Sequence, residues 1–367
     1  MAVRQGVLEG LVTMFWQGKR VFLTGHTGFK GAWLSLWLTH LGAEVTGYAL
    51  APPTSPSLYD LTCIDQKIDS HTADIRDLDA LTRAMGESGA DIAVHMAAQS
   101  LVRPSHTDPV STYGTNIMGT VHFLEAVRRT PGIRSALVVT SDKCYRNDGE
   151  IHAEGDPMGG RDPYSSSKGC AELVTAAYRD SFFPSPSYDT HGVALAAARA
   201  GNVIGGGDWA DHRLLPDCVR ALERGEPIAV RNPDSLRPWQ HVLDCLHGYL
   251  LLMQKLYQDG PAYAGAYNFG PVAEEEHTAG WIAGRVCAAW GQGASYTVDP
   301  EENAPIEAPV LRLDSTKARR VLGWEPRLST EQAVDWTVAW YKRYRDIDPA
   351  ALCEEQIRAY TEGLDGV

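Results

Sequence analysis

Positive charge is in short supply in this chain. Thirty-three Lys and Arg stand against 46 Asp and Glu, a formal net charge of −13. That excludes broad, sequence-independent binding to nucleic acid or to an anionic membrane surface, because both depend on surplus cations. An anionic small molecule is still allowed where a few Arg or Lys converge on one site. Paired cysteines are lacking as well. Cys63, Cys144, Cys170, Cys218, Cys245, Cys287 and Cys353 form no C-x-x-C, and an odd, scattered set suits a reducing compartment better than a disulfide framework. No run of eighteen apolar residues suggests a membrane span. The first twenty residues have neither a continuous apolar core nor a small-residue cleavage site, so no signal peptide is expected and the cytoplasm is the expected location. The twelve histidines are dispersed, without H-E-x-x-H or a Cys–His set, so no metal is expected. Internal repeats and low-complexity segments are missing too.

What is present is a chain of 367 residues, 44% hydrophobic, long enough for two domains or one enlarged one. Short β-rich runs alternate with helix-like spacing. Arg20–Thr24 (RVFLT) reads as a strand, Ala32–Leu41 as a helix and Glu44–Leu50 as a second strand. A helix follows near Leu78–Gly89, a strand at Ile92–Met96, a helix near Tyr113–Thr130, a strand at Ala136–Thr140, a helix over Lys168–Asp180 and a strand at Val193–Ala198. Such alternation implies a parallel sheet covered on both faces. From about Asp208 the texture shifts to Pro-rich, charged loops. Helical pieces follow at His241–Gln254 and His277–Trp290, and Thr330–Arg345 reads as a last amphipathic helix.

Between the first strand and the first helix lies TGHTGFKG, residues 24–31. Glycines at 25, 28 and 31 let a backbone turn sharply and approach a pyrophosphate, which the N-terminus of the following helix attracts. The loop residues Gly25, His26, Thr27, Gly28, Phe29, Lys30 and Gly31 are therefore candidate dinucleotide contacts. Lys30 either adds phosphate attraction or is a solvated side chain at the loop rim. The second strand ends in Ala49, Leu50 and Ala51, with neither the acid that would hold a ribose 2′-OH nor an Arg for a 2′-phosphate, so it does not choose between NAD and NADP. The expected fold class is α/β: a Rossmann-type doubly wound parallel sheet with a smaller mixed α/β C-terminal substrate-binding lobe. The expected boundaries are 15–207 for the dinucleotide domain and 208–345 mainly for the lobe, with some later segments returning to the first.

A second cluster is YSSSK, Tyr164 to Lys168. Four residues apart on a helix, the phenol and the ammonium share a face. A neighbouring Lys favours phenolate and lowers the Tyr pKa from about 10 toward working pH. Such a Tyr takes a hydroxyl proton while hydride leaves the same carbon. VVTSDK (138–143) ends a strand between the two clusters.

With these residues in place, the chain resembles the extended short-chain dehydrogenase/reductase superfamily, and within it the NAD-dependent nucleotide-sugar dehydratases and epimerases. The likeness runs from about Phe15 to Arg345. It is carried by TGHTGFKG, DIRD (74–77), HMAAQ (95–99), Asn116, TSDK, YSSSK, ARAGNVIGGGDW (198–209), RPWQHV (237–242), YNFGP (267–271) and LGWEP (322–326). FWQGKRVFLTGHTGFKG and TSDKCY are most similar to the CDP-glucose branch of the dehydratases, in which His and Lys also occupy the glycine loop.

The resemblance implies NAD as cofactor and a nucleotide sugar, CDP-glucose, as substrate. It places Asp74 and Ile75 against the adenine, and Ala97, Ala98, Gln99 and Asn116 along the cofactor. Tyr164 and Lys168 match the redox pair, and Thr140 or Ser141 matches the hydroxyl residue at the sugar 4-OH. On the substrate side it implies Asn202, Arg213, Leu214 and Arg237, with Arg312 a weaker match. Guanidinium suits a diphosphate through paired N–H bonds. A homodimer through helices around Asn116–Arg128 and Lys168–Asp180 is expected by likeness.

Asp142 and Lys143 stand where the dTDP-glucose dehydratases carry an Asp-Glu pair. A ketone at C4 acidifies the C5 hydrogen, so Lys143 is expected as the base at C5 and Asp142 as the acid that protonates the departing C6 hydroxyl. These roles require a protonated Asp and a neutral Lys, which burial favours. They also require the strand to have ended by Ser141, because neighbouring side chains on an extended strand face opposite sides. Two alternatives stay open. One is another nucleotide-sugar dehydratase or a 4-epimerase, although a simple epimerase has no need of Asp142 and Lys143. The other is a dinucleotide-sensing protein, which would need neither Tyr164 nor Lys168.

Overall fold

The computed structural model describes residues 14–146, 148–272, 275–300 and 310–363. The signal-peptide expectation concerns the N-terminal segment, of which residues 1–13 lie outside the described residues.

Seven strands form one sheet: β1 (Arg20–Thr24), β2 (Glu44–Ala49), β3 (Asp69–Thr72), β4 (Ile92–His95), β5 (Ser135–Val139), β6 (Ala194–Ala200) and β7 (Gly265–Phe269). Their order is β7-β6-β5-β4-β1-β2-β3, and every neighbouring pair runs parallel. The order reverses at β1, which is the switch point of a doubly wound sheet, so the β1 and β4 ends open onto one crevice. β5 (SALVV) and β6 (ALAAARA) are buried at every position, as a sheet covered on both faces demands.

Helices cover it on both sides: α1 (Phe29–His40), α2 (Leu78–Ser88), α3 (Gly119–Arg129), α4 (Pro163–Ser181), α5 (Leu214–Glu223), α6 (Val242–Asp259), α7 (Ala279–Trp290), α8 (Thr330–Arg343) and α9 (Pro349–Glu362). α1 and α6 share the larger core, built around Trp33, Trp37, Leu246, Tyr249 and Leu250. A second core lies on the opposite face, between α2, α3 and the strands, around Leu81, Met85, Phe123 and Leu124. α5, α7 and α8 pack on one another through Leu215, Ile282, Val286, Val334 and Val338. With short strand pairs, Ile228–Val230 beside Tyr296–Val298 and Leu236–Arg237 beside His277–Thr278, they make a smaller mixed α/β body.

Several elements differ from the sequence reading. α4 begins at Pro163, five residues before the expected Lys168, because Asp162 caps it by accepting from Ser165 N and Pro163 occupies the first turn. The serine run had masked that start, since serine competes with its own backbone for hydrogen bonds. β3 and β7 were not foreseen, and β7 supplies the sheet edge beside β6 from far along the chain. Thr330–Arg343 is not the last helix: α9 follows and returns to α1, where Trp37 meets Tyr360 edge to face at 5.6 Å.

Candidate active site

The glycine loop leaves β1 and enters α1. Its three glycines serve different ends. Gly25 has φ +81°, and a Cβ there would lie 2.6 Å from Ala97 N. A Cβ at Gly31 would run into the Gly25 carbonyl. Both are required by the packing of the loop on itself and on the end of β4. Gly28 is different: its Cβ would meet nothing nearer than Gly25 O at 3.5 Å. It is also the N-cap of α1, where no side chain caps the helix and no acidic residue occupies the first turn. That leaves a helix N-terminus open to an anion at the one glycine with space beside it.

The two bulky residues of the loop turn inward. His26 is fully buried, its Nε2 2.7 Å from Ser70 Oγ and its ring over Gly47. Burial lowers its pKa to about 4. Thr27 donates to Leu50 O at 2.9 Å. Lys30 is not a solvated rim side chain. Its ammonium lies 5.7 Å from the Tyr249 ring, and burial lowers its pKa beside Cys245, Arg213 and Asp142. The Phe29 ring approaches Gly205.

Beyond β4, Asn116 binds the Ala97–Gln99 stretch to α4. It accepts from Gln99 N at 2.8 Å and donates to Gln99 O at 2.9 Å and Ser167 Oγ at 2.8 Å. The Gln99 amide is engaged with Leu101 O and Thr112. Ala98 is half-buried. Asp74 pairs with Arg76, which holds its carboxyl below the usual range, and Ile75 packs on Gly119.

β5 ends at Val139, and a single 3₁₀ turn, Asp142–Cys144, begins after Ser141. The strand has therefore ended before Ser141, as side-by-side use of Asp142 and Lys143 requires. Ser141 Oγ donates to Asp142 Oδ1 at 2.8 Å, accepts from Lys143 N at 3.3 Å and lies near enough to Tyr164 to favour its phenolate. Of the two hydroxyls, Ser141 faces Tyr164, whereas that of Thr140 donates to Glu172 behind the strand. Asp142 is buried, Oδ2 has no hydrogen-bond partner among the described residues, and desolvation raises its pKa despite Lys143 and Arg237 nearby. Burial thus shifts Asp142 toward its neutral form. Lys143 is only half-buried.

Tyr164 and Lys168 are both buried on α4. Burial pushes the Tyr164 phenol up to about 12, against lowering by Ser141 and Arg213. The expectation that Lys168 brings it toward neutrality is not met in this structure, because desolvation outweighs the cations. Lys168 itself is lowered to about 8 by burial and by Lys30, and its Nζ donates to Val139 O at 3.4 Å.

The second body contributes cations. Arg213 pairs with Asp208 at 2.9 Å, reaches Ser100 Oγ at 3.2 Å and lies near Tyr164; Leu214 is the first residue of α5. Arg237 is buried close to Asp142. Asn202 accepts Gln240 N on its backbone oxygen at 3.0 Å. Arg312 pairs with Glu276 at 2.9 Å. The reading of the sequence missed Glu172 and Arg199, a buried pair at 2.7 Å beneath the site. Their signal was there: Glu172 stands four residues after Lys168 on one helix face, and Arg199 is a lone charge in an otherwise apolar strand. Among the described residues no group of three or more His, Cys, Asp or Glu could hold a metal ion, and no helix is long and apolar enough to cross a membrane.

Residues 22–337 match the family model described as GDP-mannose 4,6 dehydratase. The chain is 49% identical over 344 residues, 93% of this chain and 96% of the other, to the CDP-glucose 4,6-dehydratase of Salmonella typhimurium. Among solved structures it resembles the UDP-glucose 4-epimerase of Thermotoga maritima, with TM-score 0.76 and 20% identity, covering 89% of this chain and 99% of that one. A double mutant of the dTDP-glucose 4,6-dehydratase of Streptomyces venezuelae, solved with NAD bound, gives TM-score 0.73 at 25% identity, covering 89% and 98%.

Proposed function

This chain belongs to the GDP-mannose 4,6-dehydratase family, and from that premise we infer that it converts CDP-glucose to CDP-4-dehydro-6-deoxyglucose and water. The observation that carries the reading is 49% identity along 93% of the chain to a CDP-glucose 4,6-dehydratase. It is an NAD-dependent hydro-lyase, and the crevice fits that cofactor. Gly28 leaves space at an uncapped helix N-terminus for a pyrophosphate, and the Ala97–Gln99 stretch beside it is held by Asn116. Bound there, NAD supplies a hydride acceptor and later a hydride donor to the sugar.

The chain's own residues then have separable tasks. Tyr164, beside Ser141, takes the proton of the sugar 4-OH. It does so as the phenolate, a form that burial opposes and that the neighbouring Arg213 charge favours. With C4 a ketone, Lys143 removes the C5 proton, and Asp142, shifted toward its acid form by burial, gives a proton to the departing C6 hydroxyl. The C5–H and C6–O bonds break, a C5–C6 double bond forms and water leaves. Arg237, close to Asp142, is placed to pair with the diphosphate.

A second copy of the chain is the proposed partner. Val110, Met118, Leu173 and Phe182, on or beside the α3–α4 face, are all exposed, and an apolar face of this kind favours burial against its own copy. Seven free cysteines suit a reducing cytoplasm.

The test is incubation with NAD and a panel of CDP-, dTDP-, UDP- and GDP-sugars, with detection of the base-labile absorbance of a 4-keto-6-deoxy product. Product from CDP-glucose in preference to the others is expected. Inversion at C4 without loss of water would make the chain an epimerase instead. In Lys143→Ala, a 4-keto sugar that keeps its 6-hydroxyl should accumulate; full dehydration by that variant removes Lys143 from the mechanism.

A further inference from the structure

We propose that the buried Glu172–Arg199 ion pair is a positioning clamp: it grips the Thr140–Tyr145 segment at both ends and so fixes where Asp142 and Lys143 stand. The inference rests on the dehydration reading above and adds residues to it that touch neither sugar nor cofactor.

The geometry is a bracket. Glu172 Oε1 accepts the Thr140 hydroxyl at one end of the segment. Glu172 Oε2 is 2.7 Å from Arg199 Nη2. Arg199 Nη1 donates to the Tyr145 hydroxyl at 2.7 Å, at the other end, and to Glu154 O at 3.0 Å. The Tyr145 hydroxyl donates to Asn268 Oδ1 at 2.7 Å, and the Asn268 amide donates to His152 O and Asp314 O. The Tyr145 ring is stacked on His152 at 4.8 Å. The turn between the two ends is held loosely by its own backbone, with Cys144 N to Ser141 O at 3.2 Å and Tyr145 N to Asp142 O at 3.4 Å.

Both members of the pair are almost wholly buried. Such a pair contributes little net stability compared with apolar residues of equal volume, because desolvation offsets the attraction. Its value lies in direction, since each charge also holds a hydroxyl at one end of the same hexapeptide. Glu172 also lies one turn beyond Lys168 on α4. The segment bearing the acid and base is thereby tied to the helix bearing the phenol and ammonium, and the two half-sites cannot drift apart. Displacement of reacting groups by about 1 Å costs on the order of a hundredfold in rate.

The experiment uses full-length protein with NAD and CDP-glucose. Thr140→Val and Tyr145→Phe each remove one hydroxyl and leave shape and ion pair in place; Glu172→Gln breaks the pair itself. In folded variants, checked by thermal unfolding, kcat should fall at least about tenfold with KM for CDP-glucose within about threefold. Quenched single turnovers should contain 4-keto sugar still bearing its 6-hydroxyl, which a uniform loss of folded enzyme would not produce. If Glu172→Gln does not fold, the two single-hydroxyl variants decide. Wild-type kcat in both overturns the clamp. A slower kcat without build-up of that sugar also overturns it, because the loss then lies in the redox step. If the wild-type chain is itself inert toward every nucleotide sugar, the function has failed and the clamp falls with it.

Discussion

Ser141, just past the end of β5, faces Tyr164 at the start of α4, and its hydroxyl opposes the burial that holds the phenol pKa up at about 12. Two elements thus meet at one phenol. The cation that favours its phenolate, Arg213, comes from a third segment.

Replacing Tyr164 by Phe removes that proton acceptor and little else. Turnover should fall by about 10²–10⁴ or more, the scale of a lost acid–base group. CDP-glucose affinity measured by calorimetry should change no more than a few-fold, since the phenyl ring keeps the packing. Tyr164→Phe protein that turns over at the normal rate would show that another group takes the 4-OH proton.

Gly28 and Gly31 should respond oppositely to the same methyl group. Gly28→Ala meets open space at an ordinary φ of −81°, so folding should lose no more than about 1 kcal/mol while NAD affinity drops by tenfold or more. Gly31→Ala presses on the Gly25 carbonyl and should lower the melting temperature markedly. Equal loss of stability in both variants would mean that all three glycines serve the fold alone.

How the sequence conveyed this is uneven, and the reasons are physical. The β1–loop–α1 unit was legible because glycine spacing and hydrophobic period are both local. Tyr164 and Lys168 were legible because one helical turn joins them. The direction of Lys30 was not, since its surroundings, Asp142, Arg213 and Cys245, come from three distant segments. The way the Thr140 and Ser141 hydroxyls face depends on where the strand ends, which hydrogen bonding across the sheet decides and local propensity does not. The Tyr164 pKa went the other way from expectation because spacing along a helix reveals a neighbouring charge but not the depth at which both groups are buried. β7 was missed because Gly265–Phe269 is a short strand completed only by pairing with β6.

Asp244 supplies a pH dependence. Its Oδ1 accepts the Tyr360 hydroxyl at 2.8 Å and Arg327 N at 2.6 Å, while Oδ2 has no partner among the described residues. Burial raises the carboxyl from 3.8 to about 7. The folded chain therefore holds a proton that the unfolded chain releases near pH 4, so this contribution is fully present below about pH 4 and is lost as pH rises through about 7. Across that window it amounts to on the order of 4 kcal/mol. Melting temperature should fall between about pH 4 and pH 7, and Asp244→Asn should flatten the fall. An unchanged slope in Asp244→Asn would assign the dependence elsewhere.

The proposed self-association has a direct check. Leu173 is 60% exposed on α4, and a charge there should not disturb the fold. Sedimentation should find the wild-type chain as a dimer and Leu173→Arg as a monomer with an unchanged melting curve at high dilution. A monomeric wild-type chain would leave that apolar face without its proposed partner.

The contact of Trp37 with Tyr360 bears on biosynthesis. α1 emerges from the ribosome early, directly behind the glycine loop, yet the helix that covers its outer side is translated almost last. Until Tyr360 arrives, Trp37 rests on His247 of α6 without its edge-to-face partner. A chain cut before residue 349 would keep all seven strands of the sheet and lose the helix that packs on α1.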